Sequence, residues 1–247
     1  MRWIVALALA ACGTEVPPCE HDPTPGDDRL LLFTRTRGYR HEAISAGCSV
    51  LPDSLAGIGV EVTEDPADFN PANLARFRAV FFLYTSGNDL LDGDGKAAFE
   101  DFIRAGGGWI GIHSASATED AWPFYRELVV QHFTNHADIQ TATMTIEDRG
   151  HPATALLPDG PWVAGDEWYN FPASPRGAPG VRILASVDEA SYRGGTQGAD
   201  HPLVWSHENL GGRALYTALG HVPARWDDPV FLAHIDGAVR WAMRLAD

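Results

Sequence analysis

The segment Ala105-Gly106-Gly107-Gly108-Trp109-Ile110-Gly111-Ile112-His113-Ser114-Ala115-Ser116-Ala117 constrains this chain more than any other. Glycines stop whatever precedes it, a short apolar run follows, and small residues carry the chain away. A short apolar run bounded by breakers reads as a strand buried on both faces of a parallel sheet. Gly111 and Ala115 stand two residues to either side of His113. Small residues at that spacing leave room for a sharp strand-to-helix turn with one side chain held at its apex. In nucleophile elbows the apex is Ser or Cys. An imidazole there moves protons or binds a metal more readily than it serves as a covalent nucleophile. The competing reading is a core histidine at a strand end.

Other apolar runs fall into place around that strand. Leu30–Thr34, Gly59–Thr63 and Ala79–Tyr84 read as three more buried strands, and a helix opens after His41 and ends near Gly57. His41 thus lies at a strand-to-helix junction, the edge of an open parallel sheet where ligands bind. Asp89–Gly95 resembles a calcium loop but lacks the full ligand set and the closing Glu, so it reads as a turn and N-cap for a helix over Lys96–Arg104. Four β-then-α units in succession predict a doubly wound, flavodoxin-like α/β sheet with right-handed crossovers. Beyond Tyr125 the pattern changes. Asp138–Ile146 alternates with period two, and strands follow near Trp162–Ala164, Val181–Ala185, Pro202–Ser206 and Arg213–Leu219, the last two joined by the turn Glu208–Gly212. These predict an antiparallel β extension in the C-terminal half, closed by an amphipathic helix over about Pro229–Leu245. At 247 residues and 45% hydrophobic content, a single domain can bury a substantial core.

A formal charge of -15 without a Lys/Arg cluster disfavours nucleic acid and anionic lipid as partners. The first residues are a separate matter. Arg2 and the apolar run Trp3–Ala11 form a segment too short to span a bilayer permanently, ending in Leu9-Ala10-Ala11-Cys12-Gly13, which resembles a bacterial lipobox. The division expected is a lipoprotein signal peptide over 1–11, a disordered tether over 12–28 with Cys12 lipidated, and one domain over 29–247. The membrane is then met only through that anchor, and the protein is exported. In an oxidising compartment Cys19 and Cys48 either pair or leave Cys48 as a buried free thiol.

Several further pieces carry a resemblance: Gly38-Tyr39-Arg40-His41, Gly106–Ala115, Phe133-Thr134-Asn135-His136, Gly150–Thr154, Asp166-Glu167-Trp168-Tyr169, His201–Trp205 and Gly212–His221. In order over most of the chain, they are similar to the ThuA-like family, named for trehalose utilisation and related in fold to class I glutamine amidotransferases. The resemblance implies the flavodoxin-like fold and a link to carbohydrate metabolism, and it strengthens His221 as a site residue. The amidotransferase elbow carries Cys, whereas His113 holds that position here, so glutamine hydrolysis through a thiol is not available.

The candidate catalytic residues are His113, Glu167, His41 and His221. Glu167 beside Trp168 and Tyr169 is expected to lose hydration and have its pKa raised toward a general-acid range. Tyr169 and Trp205 are candidates to stack on a sugar face, and Ser114, His136 and His201 complete the expected substrate-binding set. His151 starts a turn as a cap, and His132, His207 and His234 read as solvated or helix-face residues. No HExxH or regularly spaced pair is present, so no metal ligand set is assigned; one would have to assemble in three dimensions. The glycines of Gly106–Gly108 precede their strand, whereas a dinucleotide fingerprint follows one, so no cofactor is expected. These residues lead to an exported enzyme acting on a small carbohydrate or glycoside derivative by His/Glu acid–base chemistry, hydrolytic or isomerising. Its rivals are a non-catalytic sugar-binding lipoprotein and a metal-dependent hydrolase.

Overall fold

The computed structural model describes residues 16–247, so the expected signal segment and Cys12 lie outside the described residues. The first half of the chain supplies strands Asp28–Phe33 (β1), Ile58–Thr63 (β2), Ala79–Leu83 (β3) and Gly108–Ile112 (β4). Each is an apolar run, and β3 and β4 are buried at every position because helices cover both faces. The helices between them are Ala43–Ser54 (α1), Pro71–Leu74 (α2) and Gly93–Arg104 (α3). Asp92 caps α3 by accepting from the Gly95 N–H, so the segment resembling a calcium loop is a turn and cap. The second β-then-α unit is shorter than expected. Asp65 and Asn70 cap successive short turns that start at Pro66 and Pro71, and neither grows into a long helix.

The second half adds Pro123–Val129 (α4), Asn135–His136 (β5), Gln140–Ile146 (β6), Pro152–Ala155 (α5), Trp162–Asp166 (β7), Tyr169–Asn170 (β8), Arg182–Val187 (β9), Pro202–His207 (β10), Ala214–Thr217 (β11) and Pro229–Ala242 (α6). The main sheet has nine strands in the order β2-β1-β3-β4-β11-β10-β9-β6-β7. From β2 to β11 neighbours run parallel, and from β11 through β10, β9 and β6 to β7 every pair is antiparallel. This is the flavodoxin-like α/β sheet with its antiparallel extension. The small ribbon β5-β8 stands apart from it. Among the described residues no helix is long and apolar enough to cross a membrane.

Residues 16–27 are not a free tether. Thr24 pairs with the edge of β2 through its N–H to the Val60 carbonyl (3.0 Å) and its hydroxyl accepting from the Val60 N–H (2.8 Å). Cys19 is disulfide-bonded to Cys48 on α1, and Arg40 donates to the Val16 and Pro17 carbonyls. The composition suits disorder, but a cross-link and paired backbone groups outweigh it.

Two of the histidines read as solvated or helix-face residues are buried in the core, His234 on a helix face that packs inward. His207 donates from Nε2 to the Leu128 carbonyl, and His234 on α6 donates from Nδ1 to the Ala153 carbonyl. The approach at this second contact is close, since a Cβ on Gly237 would lie 2.1 Å from the Pro152 carbonyl oxygen. Burial pushes the His234 pKa from 6.5 down to about 4, against the opposing pull of the Ala153 carbonyl. The folded state therefore holds the neutral ring, and the unfolded chain takes up a proton first. Stability from this group is complete above pH 6.5 and is lost as pH falls from there through about 4. Between pH 7 and pH 5 the loss amounts to about 2 kcal/mol. His234→Asn keeps a donor for the carbonyl but does not titrate. Urea unfolding at both pH values is expected to show a correspondingly smaller acid loss in that variant, and equal losses would refute the assignment.

Candidate functional site

β4 ends at Ile112, and His113 begins a 3-10 turn with φ of +51°. That left-handed conformation is uncommon for a residue with a side chain, and it holds the imidazole at the apex of the strand-to-helix turn. A Cβ on Gly111 would meet the Trp109 ring at 2.4 Å and the Ala115 Cβ at 3.1 Å, so the flanking small residues are required by packing. The backbone is tied behind the ring. The His113 carbonyl accepts from Tyr216 (2.8 Å) and Ser116 (3.2 Å), while its Nδ1–H donates to the Ala218 carbonyl at 2.8 Å. That last bond fixes the tautomer and leaves Nε2 with its lone pair directed forward.

The other imidazoles arrive from neighbouring strand ends. His41 lies between β1 and α1, and His221 follows β11 after Gly220. Ring centroids of His41 and His113 are 4.8 Å apart, those of His113 and His221 5.1 Å, and those of His41 and His221 5.3 Å. Gly220 turns with φ of +104°, a conformation open to glycine, and its carbonyl accepts from the buried Tyr84 hydroxyl at 2.6 Å. Glu167 enters from the far edge, where the chain leaves β7 and folds over the strand ends into β8. Its Oε2 lies 3.2 Å from His221 Nδ1 and 3.4 Å from His113 Nε2, and its Oε1 lies 3.1 Å from His136 Nδ1.

His41, His221, Glu167 and His136 border a cavity of about 570 Å³ together with Ser114, Tyr169 and Phe133, and the fully buried His113 lies behind them. The cavity lies at the carboxyl ends of parallel strands, where the sheet topology places ligands. Ser114 Oγ is 3.3 Å from His41 Nδ1, and the Tyr169 hydroxyl is 2.8 Å from His113 Nε2.

The charge state of Glu167 is the reverse of the expectation. Burial acts to raise its pKa, but the His113 and His221 imidazoles beside it win and hold it well below the ordinary carboxylate range. The neighbouring Trp168 faces elsewhere, donating to the Gln140 carbonyl. For His221 burial pulls the pKa down, yet the Glu167 carboxylate more than offsets it and the net shift is upward. Burial, then the charges of His113 and His221, lower His41 to about 2, which keeps that ring neutral.

Two expected binding residues are elsewhere. Trp205 lies on the interior strand β10, donates to the Val129 carbonyl and packs on Phe171 and Tyr216, so it is core rather than a sugar platform. His201 sits behind the site, donating from Nε2 to the Tyr169 carbonyl, with Nδ1 2.8 Å from Glu189. His151 does cap its turn, accepting from the Ala153 N–H.

Some contributors had no local signal. Asp166, fully buried, accepts from the N–H groups of Glu167, Gly220 and His221 at 2.8–2.9 Å, and so ties the two arms of the site together. Tyr39, 68% exposed, stands edge-on to His41 at the rim. An exposed aromatic within the Gly38–His41 motif was the available clue to it. The histidines and the acid, scattered through the sequence without regular spacing, do assemble in three dimensions: His41, His113, Glu167 and His221 each place a donor atom within 4.8 Å of the others.

Comparison with known proteins gives a family model described as trehalose utilisation, ThuA, matching residues 29–242. A putative ThuA-like protein from Bacteroides uniformis superposes with a TM-score of 0.77 at 23% identity, covering 92% of this chain and 95% of that one. A second, from Parabacteroides merdae, gives 0.71 at 19% identity over 87% and 90%. A β-galactosidase from Rahnella sp. R3 shares the fold at 0.55 and 15% identity over 90% of this chain, which spans 32% of that enzyme. No curated protein sequence matches.

Proposed function

This chain belongs to the ThuA family, a carbohydrate-related one, and on that premise we propose that it is an enzyme acting on a carbohydrate or glycoside derivative by proton transfer. The observation that carries the reading is the convergence of His113 Nε2, His221 Nδ1 and Glu167 Oε2, separated by 3.1–3.4 Å, beside one cavity. Glu167 stays anionic at neutral pH and is therefore not the general acid. It holds a proton on His221, whose ring borders the cavity and is placed to donate to a departing or polarised oxygen. His113 is buried with Nδ1–H committed to Ala218, and its Nε2 meets the cavity through the Tyr169 hydroxyl 2.8 Å away, the route by which it takes up a proton from a water or a sugar hydroxyl. His41 and Ser114 orient the substrate. Among the described residues no free thiol is available to this scheme, since Cys19 and Cys48 are joined. Tyr39 and Phe133, rather than Trp205, are the rings available to a sugar face.

The proposal includes export on a lipid anchor at Cys12. The Cys19–Cys48 bond supports it, because structural disulfides persist in oxidising compartments. Recovery in the membrane fraction that is lost in Cys12→Ala is the expected result, and a soluble wild type would retire the anchor.

Turnover is tested on a panel of glycosides and oxidised sugars. His113→Gln is expected to keep sugar binding and lose turnover by about 10²–10⁴-fold. Undiminished turnover in that variant would remove His113 from the chemistry. Sugar binding without turnover in the wild type would instead identify a binding protein.

A further inference from the structure

Within the triangle of His113 Nε2, His221 Nδ1 and Glu167 Oε2 there are more acceptors than protons, and His113 Nε2 takes its nearest donor from outside it, the Tyr169 hydroxyl at 2.8 Å. His113 Nε2 has a lone pair, because Nδ1–H is used by Ala218. Glu167 Oε2 is likewise an acceptor, and the two lie 3.4 Å apart with no hydrogen between them. His221 Nδ1 is 3.1 Å from the first and 3.2 Å from the second, and has at most one proton to offer both. Two acceptors and one shared donor in a triangle call for a positive centre.

We propose that a divalent transition-metal ion of the zinc class binds here, with His113, His221, Glu167 and His41 as ligands. The inference rests on the reading of this pocket as the reaction site; the ion would replace the proton held between His221 and Glu167 and occupy the His113 Nε2 lone pair, so that in the loaded protein its charge would stand in for the acid–base roles given to those rings above. The size is right. A tetrahedral ion with bonds of ~2.0–2.1 Å keeps its ligand atoms about 3.3–3.4 Å apart. The observed edges are 3.1, 3.2 and 3.4 Å, and the His41 donor lies within 4.8 Å of the rest. Three imidazoles and a carboxylate suit zinc, iron, nickel or copper better than calcium or magnesium, which prefer oxygen.

The surroundings match as well. A metal-bound imidazole usually donates its other N–H to a carbonyl or carboxylate, as His113 does to Ala218. Glu167 ligates through Oε2 alone, because Oε1 faces His136. That oxygen remains free to take a proton during turnover. Asp166 fixes the His221 backbone. One protein group competes: the Tyr169 hydroxyl, 2.8 Å from His113 Nε2, shares that lone pair and must turn aside when the ion enters.

The test uses the full chain purified without a histidine tag, stripped with chelator and titrated calorimetrically with Zn²⁺ and with Co²⁺. One ion per chain is expected, and the Co²⁺ adduct should show the intense visible absorption of four-coordinate cobalt. His113→Gln and His41→Gln, checked for folding by circular dichroism, should each weaken uptake by about a hundred-fold or more. His21→Gln, on the N-terminal segment outside this cavity, should not. No stoichiometric uptake, or uptake equal in wild type and both site variants, would overturn the site. Two further outcomes separate this inference from the reading it rests on. Turnover that survives complete stripping retires the ion and leaves the acid–base enzyme. An ion bound at these residues with no turnover across the sugar panel keeps the site and retires the enzyme.

Discussion

Asp166→Ala should destabilise the protein by about 4 kcal/mol, because three buried N–H groups lose a charged acceptor at once. Those groups belong to Glu167, Gly220 and His221, so the same change lets the acid and one imidazole drift apart. Arg225 Nε, 3.5 Å from Asp166 Oδ2, loses part of its compensation, although Asp228 still pairs with it. Asp166→Asn keeps one oxygen in the same place and should lose about half as much. Urea unfolding at neutral pH measures both. A loss under about 1 kcal/mol in the alanine variant would mean that water takes over those donors and that the carboxylate is not the tie. A positioning role further predicts that Asp166→Asn impairs turnover and ion uptake more than its modest loss of stability explains.

Removing the Cys19–Cys48 cross-link comes next in size. The bond joins residues 29 apart in sequence, with Cα atoms separated by 5.9 Å, a relaxed distance for a disulfide. Closing a loop of that length restricts the unfolded chain by about 3–4 kcal/mol on the chain-entropy view. The double variant Cys19→Ser, Cys48→Ser should therefore unfold at distinctly lower urea. Wild type treated with reductant should fall to the same midpoint. If neither moves, the N-terminal segment is held by Thr24 and Arg40 alone.

What could be read from the sequence follows from how local each cause is. Strands such as Ala79–Leu83 are apolar because both faces are covered, so they announce themselves without knowledge of their partners. His113 was legible for a similar reason, since Gly111 and Ala115 make room for its turn within a few residues. The ionisation of Glu167 was not. Its aromatic neighbours in sequence suggested a neutral acid, whereas its neighbours in space are imidazoles from positions 113 and 221. Trp205 and Tyr169 look alike as aromatic residues on short strands, and only the sheet order separates the core ring from the one beside the cavity. Asp166 was hidden because its work is done on backbone N–H groups more than fifty residues away.

The place of β11 in the sheet carries a consequence for synthesis. It is the last of the nine strands of this sheet to be made, yet it sits between β4 and β10. Until the ribosome has released residues 214–221, the edge of β4 away from β3 has no companion, and neither His113 nor Glu167 has His221 beside it. An open, greasy margin of this kind invites pairing with other chains. A nascent polypeptide of this design is thus both inert and sticky until its final stretch emerges, and deleting that stretch should yield aggregates rather than a smaller working domain.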